Sequence, residues 1–234
     1  MKKSFLTRLE NIFSTDGRKN KSAVANGILL FFTLVTIFVL PIFPKEDINF
    51  IYTFTVTGIF ISAVFSLKKN HHFLIYSAVF LSIVVWISFF SNYNLLKMGF
   101  RILNFLFFLF LVASLISQVS STATVTAKVI VDFITAYFLL GFAFSLVVIL
   151  VSSLIPGAYN VSFSKELELE LLEPIQDNIY YTFMTFTTTG YGDVVPTHPV
   201  SKSLAVLISA SGQLYVAIII AMLIGKYASS RKTE

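Results

Sequence analysis

The stretch that decides the fold of this chain is Thr187-Thr188-Thr189-Gly190-Tyr191-Gly192-Asp193, a short glycine-containing strip between two long apolar segments. Gly190 and Gly192 have no Cβ and accept positive φ angles, so the strip can turn successive backbone carbonyls toward one axis. Together with the threonine hydroxyls, these carbonyls make a row of oxygen ligands suited to a dehydrated cation. Tyr191 is expected to point away from that row and to wedge the strip against neighbouring helices.

The composition around the strip is that of a membrane protein. Hydrophobic residues make up 56% of the 234 residues and charged residues only 12%, against about 45–50% and about 25% in soluble domains. The mean hydropathy is +0.82. There is no cysteine, which excludes disulfides and thiolate metal sites. The net charge of +5 comes from basic residues clustered in the N-terminal tail and in loops, so no nucleic-acid partner is expected.

Six apolar segments approach or exceed the roughly 20 residues that a helix needs to cross a bilayer. They run over about 27–43, 48–67, 73–90, 98–119, 127–155 and 199–227. Between the last two, the sequence predicts a helix from Pro174 to about Phe186, which is too short to span and must therefore be re-entrant. The predicted fold class is an all-α membrane protein with six transmembrane helices, a re-entrant helix and the glycine strip.

Loop charges predict the orientation in the membrane. Basic residues precede the first span, join the second to the third at Lys68 and Lys69, open the fifth at Lys128 and follow the sixth. Placing both termini in the cytoplasm puts these groups inside and the acidic loop at 165–177 outside. Lys97 and Arg101, at the outer end of the fourth span, are the exception. The expected location is the plasma (inner) membrane.

The polar run from Ser117 to Thr126 marks the one candidate boundary between two parts of the chain. The tail carries apolar residues at helical spacing among basic ones, so it is either an interfacial helix or a mostly disordered segment. The predicted divisions are a cytoplasmic tail at 1–25, a peripheral four-helix domain at 26–120, a domain containing the strip at 121–228 and a cytoplasmic tail at 229–234.

The strip, its preceding aromatic segment and its two flanking spans resemble the pore of potassium channels, whose filter loop reads Thr-Val-Gly-Tyr-Gly. The chain is similar to six-span, single-pore-loop members of the voltage-gated-like cation channel superfamily. This resemblance implies a selectivity filter that binds potassium. It implies K⁺ as the permeant ion, no cofactor, membrane lipids as neighbours and a homotetramer, because one strip cannot surround an ion. The filter residues by resemblance are Thr188, Thr189, Gly190, Tyr191 and Gly192, with K⁺ at the first four and the Thr188 hydroxyl innermost.

Two positions depart from the family pattern. Thr189 stands where valine is usual, and its added hydroxyl needs a hydrogen-bond partner. Met184 stands where some members carry a glutamate paired with the aspartate that matches Asp193, so Asp193 is expected to bond instead to a nearby tyrosine hydroxyl. The residues expected to support the filter are Thr187, Asp193, Tyr180, Tyr181 and Met184.

Two glycines of the last span are candidates for a gating hinge. Gly212 lies at the level where many potassium channels have a hinge glycine, although glycine in a membrane helix equally serves close packing. Gly225 lies near the cytoplasmic end and is a candidate crossing point.

The fourth span lacks the charges of a voltage sensor. Such a sensor needs several basic residues along the membrane, since each elementary charge contributes only about 2.3 kcal/mol per 100 mV. From Arg101 inward, steps of three meet only uncharged residues: Asn104, Phe107, Phe110 and Ala113. Weak or absent voltage dependence is therefore predicted.

Two other functions stay open on the sequence alone. A poorly selective cation channel would result if Thr189 loosened the filter, and a non-conducting regulatory subunit would keep the same architecture with a silent pore. A membrane enzyme is not expected, because the spans are nearly free of ionisable residues. Lys128 and Asp132, four residues apart, are predicted to form a local helix pair.

Overall fold

The computed structural model of this protein describes residues 24–67, 71–90, 94–120, 127–161 and 175–230. Within these ranges the helices are α1 (Val24–Ile42), α2 (Lys45–Ser66), α3 (His71–Phe90), α4 (Asn94–Ser120), α5 (Ala127–Leu154), α6 (Ile175–Phe186) and α7 (Pro199–Ser230), and the strands are β1 (Tyr159–Val161) and β2 (Val194–Pro196). Most of the N-terminal tail, predicted as either an interfacial helix or a disordered segment, lies outside the described residues, as do Pro174 and most of the acidic loop. The predicted boundary at Ser117–Thr126 is helical up to Ser120, and its residues 121–126 also lie outside.

Helix α1 ends irregularly because of a proline near its C-terminus. Pro41 has no N–H to donate, and its ring crowds the carbonyl one turn earlier. The helix therefore passes through a π-helical turn at Val35–Val39 and a 3-10 turn at Leu40–Ile42. Pro44 then precedes the first turn of α2. Only two residues separate the helices, and the Phe32 ring of α1 lies 6.5 Å from the Phe54 ring of α2, so the two helices lie side by side.

Among the residues that the structure describes, five helices are long and apolar enough to cross a membrane, namely α1, α2, α4, α5 and α7. Helix α3 is apolar over Leu74–Phe90, which is shorter than the other five. Length and composition thus establish a helical membrane protein. The third of the six predicted spans lies at the short end of the range of about 17–25 residues for transmembrane helices, and six spans stay a prediction.

The core lies where α2 and α4 pack against α5. Its largest side chains include Phe60, Phe108 and Phe142, one from each helix, and all three are fully buried. The Phe108 ring meets the Phe142 ring edge-on at a centroid distance of 5.2 Å, and the Phe60 ring lies 5.7 Å from Phe108. Each aromatic pair contributes about 0.5–1.5 kcal/mol beyond its buried area. The peripheral helices therefore pack firmly on the α5 helix of their own chain.

A buried polar network lies where the beginning of α1, the end of α2 and the beginning of α5 meet. Lys128 and Asp132 form the predicted pair, with Nζ and Oδ2 2.8 Å apart. The prediction of a merely local pair is incomplete, because Asp132 is only 2% exposed and also accepts a hydrogen bond from Asn26 of α1. Ser66 of α2 donates in turn to the Asn26 amide oxygen. The network joins three helices, and a buried carboxylate requires such partners.

Helix α7 is packed on one narrow side only. The helix contacts α5, α6 and β2, and its buried residues on that side are Ser201, Ile208, Gly212 and Tyr215. Around the rest of the helix, large apolar side chains are exposed in the single chain: Val206, Leu207, Leu214, Ile218, Ile220 and Ile224.

Two short antiparallel strands close the end of the bundle next to the glycine strip. Tyr159 pairs with Pro196, Asn160 with Val195 and Val161 with Val194. The hydroxyl of Ser201 on α7 also donates to the backbone oxygen of Ala158 at 2.6 Å. An all-helical prediction does not include this strand pair, which fastens the end of α5 to the beginning of α7.

Candidate functional site

Helix α6 holds the glycine strip in place by packing between α5 and α7. Its apolar side chains Ile179, Phe183 and Phe186 are buried. The Phe186 ring lies 4.8 Å from Tyr137 of α5. The helix begins and ends close to the predicted bounds, and the strip starts directly after Phe186. The negative end of the α6 dipole therefore lies at the beginning of the strip, where it favours a cation.

The backbone of the strip alternates in handedness. Thr188, Gly190 and Gly192 have positive φ angles of 61°, 57° and 79°, whereas the residues between them do not. Such alternation lets successive peptide groups turn the same way. For Thr188, a β-branched residue, a left-handed conformation is a true outlier. Strain of this kind costs about 1–3 kcal/mol and is concentrated at functional sites.

Backbone hydrogen bonds fix this conformation to the last turn of α6. The Thr188 N–H donates to the Thr185 carbonyl at 3.0 Å, and the Gly190 N–H donates to the Met184 carbonyl at 3.0 Å. Met184, predicted as a supporting residue, thus supports the strip through its backbone.

The threonine hydroxyls of the strip form hydrogen bonds with each other and with nearby backbone carbonyls. The Thr187 hydroxyl donates to the Phe183 carbonyl at 2.7 Å, and its oxygen lies 2.9 Å from the Thr189 hydroxyl. Thr187 therefore supplies the partner that the Thr189 hydroxyl was expected to need. The Thr188 hydroxyl donates to the Thr187 carbonyl at 2.6 Å.

Gln213 of α7 is a residue of this site that the sequence analysis missed. Its side-chain amide donates to the Thr188 hydroxyl oxygen at 2.8 Å. Gln213 thereby orients the hydroxyl that the resemblance places innermost in the filter. The available signal was an isolated amide side chain within an apolar span, since polar groups inside membranes usually mark functional positions.

Asp193, at the C-terminal end of the strip, is held by a tyrosine of α6. The Tyr180 hydroxyl donates to Asp193 Oδ2 at 2.6 Å, and the Val194 N–H donates to Oδ1 at 3.0 Å. The Tyr180 hydrogen bond lowers the pKa of Asp193 below its usual value, and the same bond raises the pKa of Tyr180 to about 12. Tyr181, the other tyrosine considered for this role, packs against Tyr159 of β1 with ring centroids 4.9 Å apart.

The two hinge candidates have different surroundings. A Cβ on Gly212 would overlap the carbonyl oxygen of Phe186, so glycine is needed for α7 to approach the end of α6. A Cβ on Gly225 would meet nothing within 4 Å. Close packing thus accounts for Gly212, and a hinge at either glycine stays a prediction.

The strip is open to its surroundings in the single chain. Residues 187–192 are exposed, and the Tyr191 side chain is 71% exposed. One copy therefore supplies oxygen ligands from one direction only.

Residues 139–228 match a family model described as "Ion channel". The match begins within α5 and continues through α6, the strip and most of α7. No curated protein and no solved structure gives a significant match to this chain. The family match supports ion channel activity and membrane integration, and it points away from an enzyme.

Proposed function

We propose that this chain is the pore-forming subunit of a potassium-selective channel that conducts passively down the electrochemical gradient. The observation that carries the proposal is the alternating backbone of the strip, with positive φ at Thr188, Gly190 and Gly192. A conducting filter for K⁺ replaces the hydration shell of the ion with rings of oxygen ligands. In this proposal the ligands are the Thr188 hydroxyl and the backbone carbonyls from Thr188 to Tyr191.

The proposed assembly is a homotetramer in the plasma membrane with both termini in the cytoplasm and lipids around it. Four copies of the strip would surround the ion. The exposed apolar residues of α7 would contact neighbouring copies and lipid, since a continuous row of exposed apolar side chains usually marks a protein or membrane contact. The four α6 C-terminal ends would then converge below the filter and add their dipoles.

Weak or absent voltage dependence belongs to the same proposal. Arg101 of α4 donates from its guanidinium to the Ser153 hydroxyl of α5 at 2.8 Å, so it is tied to the neighbouring helix. The next positions at steps of three, Asn104 and Phe107, are uncharged and buried. A helix held in this way offers little charge to move in the field.

The test is the reversal potential of the purified full chain in planar bilayers, with potassium on one side and sodium on the other. A reversal near the potassium equilibrium potential, with open probability flat in voltage, is expected. Gly190→Ala, which disturbs a left-handed residue of the strip, is expected to abolish selective current, whereas Gly27→Ala, at a helical glycine in open surroundings, is the matched control. A reversal near zero would instead identify a poorly selective cation channel. Absence of current from folded tetramers would favour the non-conducting subunit.

A further inference from the structure

A polar cavity lies beside the candidate pore, between α2, α3, α4, α5 and the first residue of α6. Its volume is about 330 Å³, within the usual range of about 300–1,000 Å³ for small-molecule sites. The polar side chains that line it are Asn49, Tyr52, Thr53, Ser88, Arg101 and Asn104.

Arg101 gives the cavity a positive charge without a matching carboxylate. Its guanidinium donates to Ser153, and no acidic oxygen lies within 4.0 Å of it among the residues that the structure describes. A guanidinium has five N–H donors in a fork that matches phosphate and carboxylate groups. Within a helical membrane protein, such a cation is costly unless an anion or water accompanies it.

Asn104 provides the second, independent observation. It is one turn further along α4, its side chain is only 5% exposed, and its Oδ1 accepts no hydrogen bond in the described part of the chain. Leaving a buried amide oxygen without a donor costs about 1–3 kcal/mol. The cavity therefore contains a guanidinium that can pair with an anion and a buried amide oxygen that can accept a hydrogen bond from a ligand.

We propose that this cavity binds a phosphate ester that carries a hydroxyl or ammonium group close to its phosphate. Arg101 pairs with the phosphate, and the hydroxyls of Tyr52 and Ser88 lie on the walls to supply further donors. The ligand's own hydroxyl or ammonium group donates to Asn104. The cavity also meets Ile175 at the beginning of α6, so an occupant contacts the helix that holds the strip. The source is either a phospholipid headgroup or a water-soluble phosphate ester.

The experiment uses the full chain, delipidated in nonionic detergent, with two probes. Phosphatidylglycerol represents the lipid source and glycerol 1-phosphate the soluble source, while diacylglycerol and glycerol are the controls without phosphate. Native mass spectrometry counts bound molecules, and thermal unfolding reports the shift in Tm. At least one phosphate probe is expected to bind and to raise Tm. Stabilisation by phosphatidylglycerol alone assigns the site to a lipid headgroup, and stabilisation by both assigns it to the phosphate ester itself.

Variants test whether the cavity is the place of binding. Arg101→Gln is expected to weaken binding at least about tenfold, whereas Lys202→Gln, which removes an exposed cation of α7, leaves it unchanged. If Arg101→Gln does not fold, Arg101→Lys keeps the charge and loses the fork, and Asn104→Leu removes the unpartnered amide at similar volume. Both are expected to fold and to bind more weakly. Equal binding by these variants and the wild type, or no binding of either phosphate probe, would overturn the proposal.

Discussion

Helices α5 and α7 contain spans of the same length and similar hydropathy, yet α5 is mostly buried in the single chain and α7 is mostly exposed. Each candidate span has 27 residues, with mean hydropathies of 2.5 for α5 and 2.1 for α7. In α5, 61% of the most apolar window is buried, and in α7 only 17%. Hydropathy therefore identifies both as membrane helices but does not tell which neighbours cover them. The chain itself covers most of α5, whereas most of α7 is left uncovered in the single chain.

The contacts of α7 are few, so the loss of any one should have a large effect. Gly212→Ala introduces a Cβ against the Phe186 carbonyl, an obstacle that cannot rotate away. We expect the free energy of unfolding to fall by more than the approximately 1–3 kcal/mol of ordinary overpacking. Tetramers and potassium flux should be lost as well. Size-exclusion chromatography and flux from liposomes measure both. Gly27→Ala, at a helical glycine of α1 whose added Cβ would meet nothing within 4 Å, should behave as wild type. A normal Gly212→Ala channel would show that α7 does not need this close approach.

Helix α5 is the opposite case, in which one buried side chain serves several helices. Asp132→Ala removes the carboxylate that Lys128 and Asn26 contact. The expected loss is about 3–5 kcal/mol of unfolding free energy, as for other broken buried ion pairs. Denaturant unfolding followed by the fluorescence of Trp86, the single tryptophan, measures it. Asp47→Ala, at an exposed carboxylate of α2, should stay within about 0.5 kcal/mol. Equal losses in Asp132→Ala and Asp47→Ala would mean that the polar network around Asp132 does not stabilise the packing of α5.

Gln213 tests whether α7 influences the strip through a specific bond as well as through packing. Gln213→Leu removes the donor to the Thr188 hydroxyl while keeping a similar volume. A hydrogen bond of this kind contributes about 0.5–1.5 kcal/mol, so we expect the sodium-to-potassium permeability ratio to change by about 2- to 12-fold. Ser211→Ala, two residues away on the same helix, is the control. An unchanged ratio in Gln213→Leu would leave α7 with a packing role only.

The smallest expected effect concerns the loop that joins the strip to α7. Because the Tyr180 hydrogen bond lowers the pKa of Asp193, its favourable contribution is present above the ordinary pKa of about 3.9 and is lost as pH falls through the lowered value. Tyr180 stays protonated throughout that range. Tyr180→Phe should therefore shift acid inhibition of potassium flux to higher external pH. Tyr76→Phe, at an exposed tyrosine of α3, serves as the control. Identical pH profiles for Tyr180→Phe and the wild type would show that protonation of Asp193 does not cause acid inhibition.

The sequence predicted what depends on neighbouring residues. Apolar runs placed the long helices, and the short aromatic segment gave α6 to within one residue at its beginning, because length and periodicity are local properties. The tyrosine partner of Asp193 was also within reach, since both residues belong to one short segment.

What the sequence did not predict depends on how helices rotate and at what depth they meet. Asn26 and Asp132 are 106 positions apart, and nothing in α1 alone indicates that its amide would meet a carboxylate of α5. Gln213 was passed over for the same reason. The strand pair was missed because three-residue strands carry almost no pattern of their own.

The shortness of α6 has a consequence for how the protein is made. With 12 residues, this helix has no means of crossing a bilayer alone, and its unpaired terminal backbone groups are not tolerated in lipid. It contacts both α5 and α7, which lie on either side of it in the chain. If α6 is re-entrant as predicted, we expect it to enter the membrane only after α7 has been inserted. The strip would then be among the last parts of the chain to reach its final place, although it is synthesised before α7.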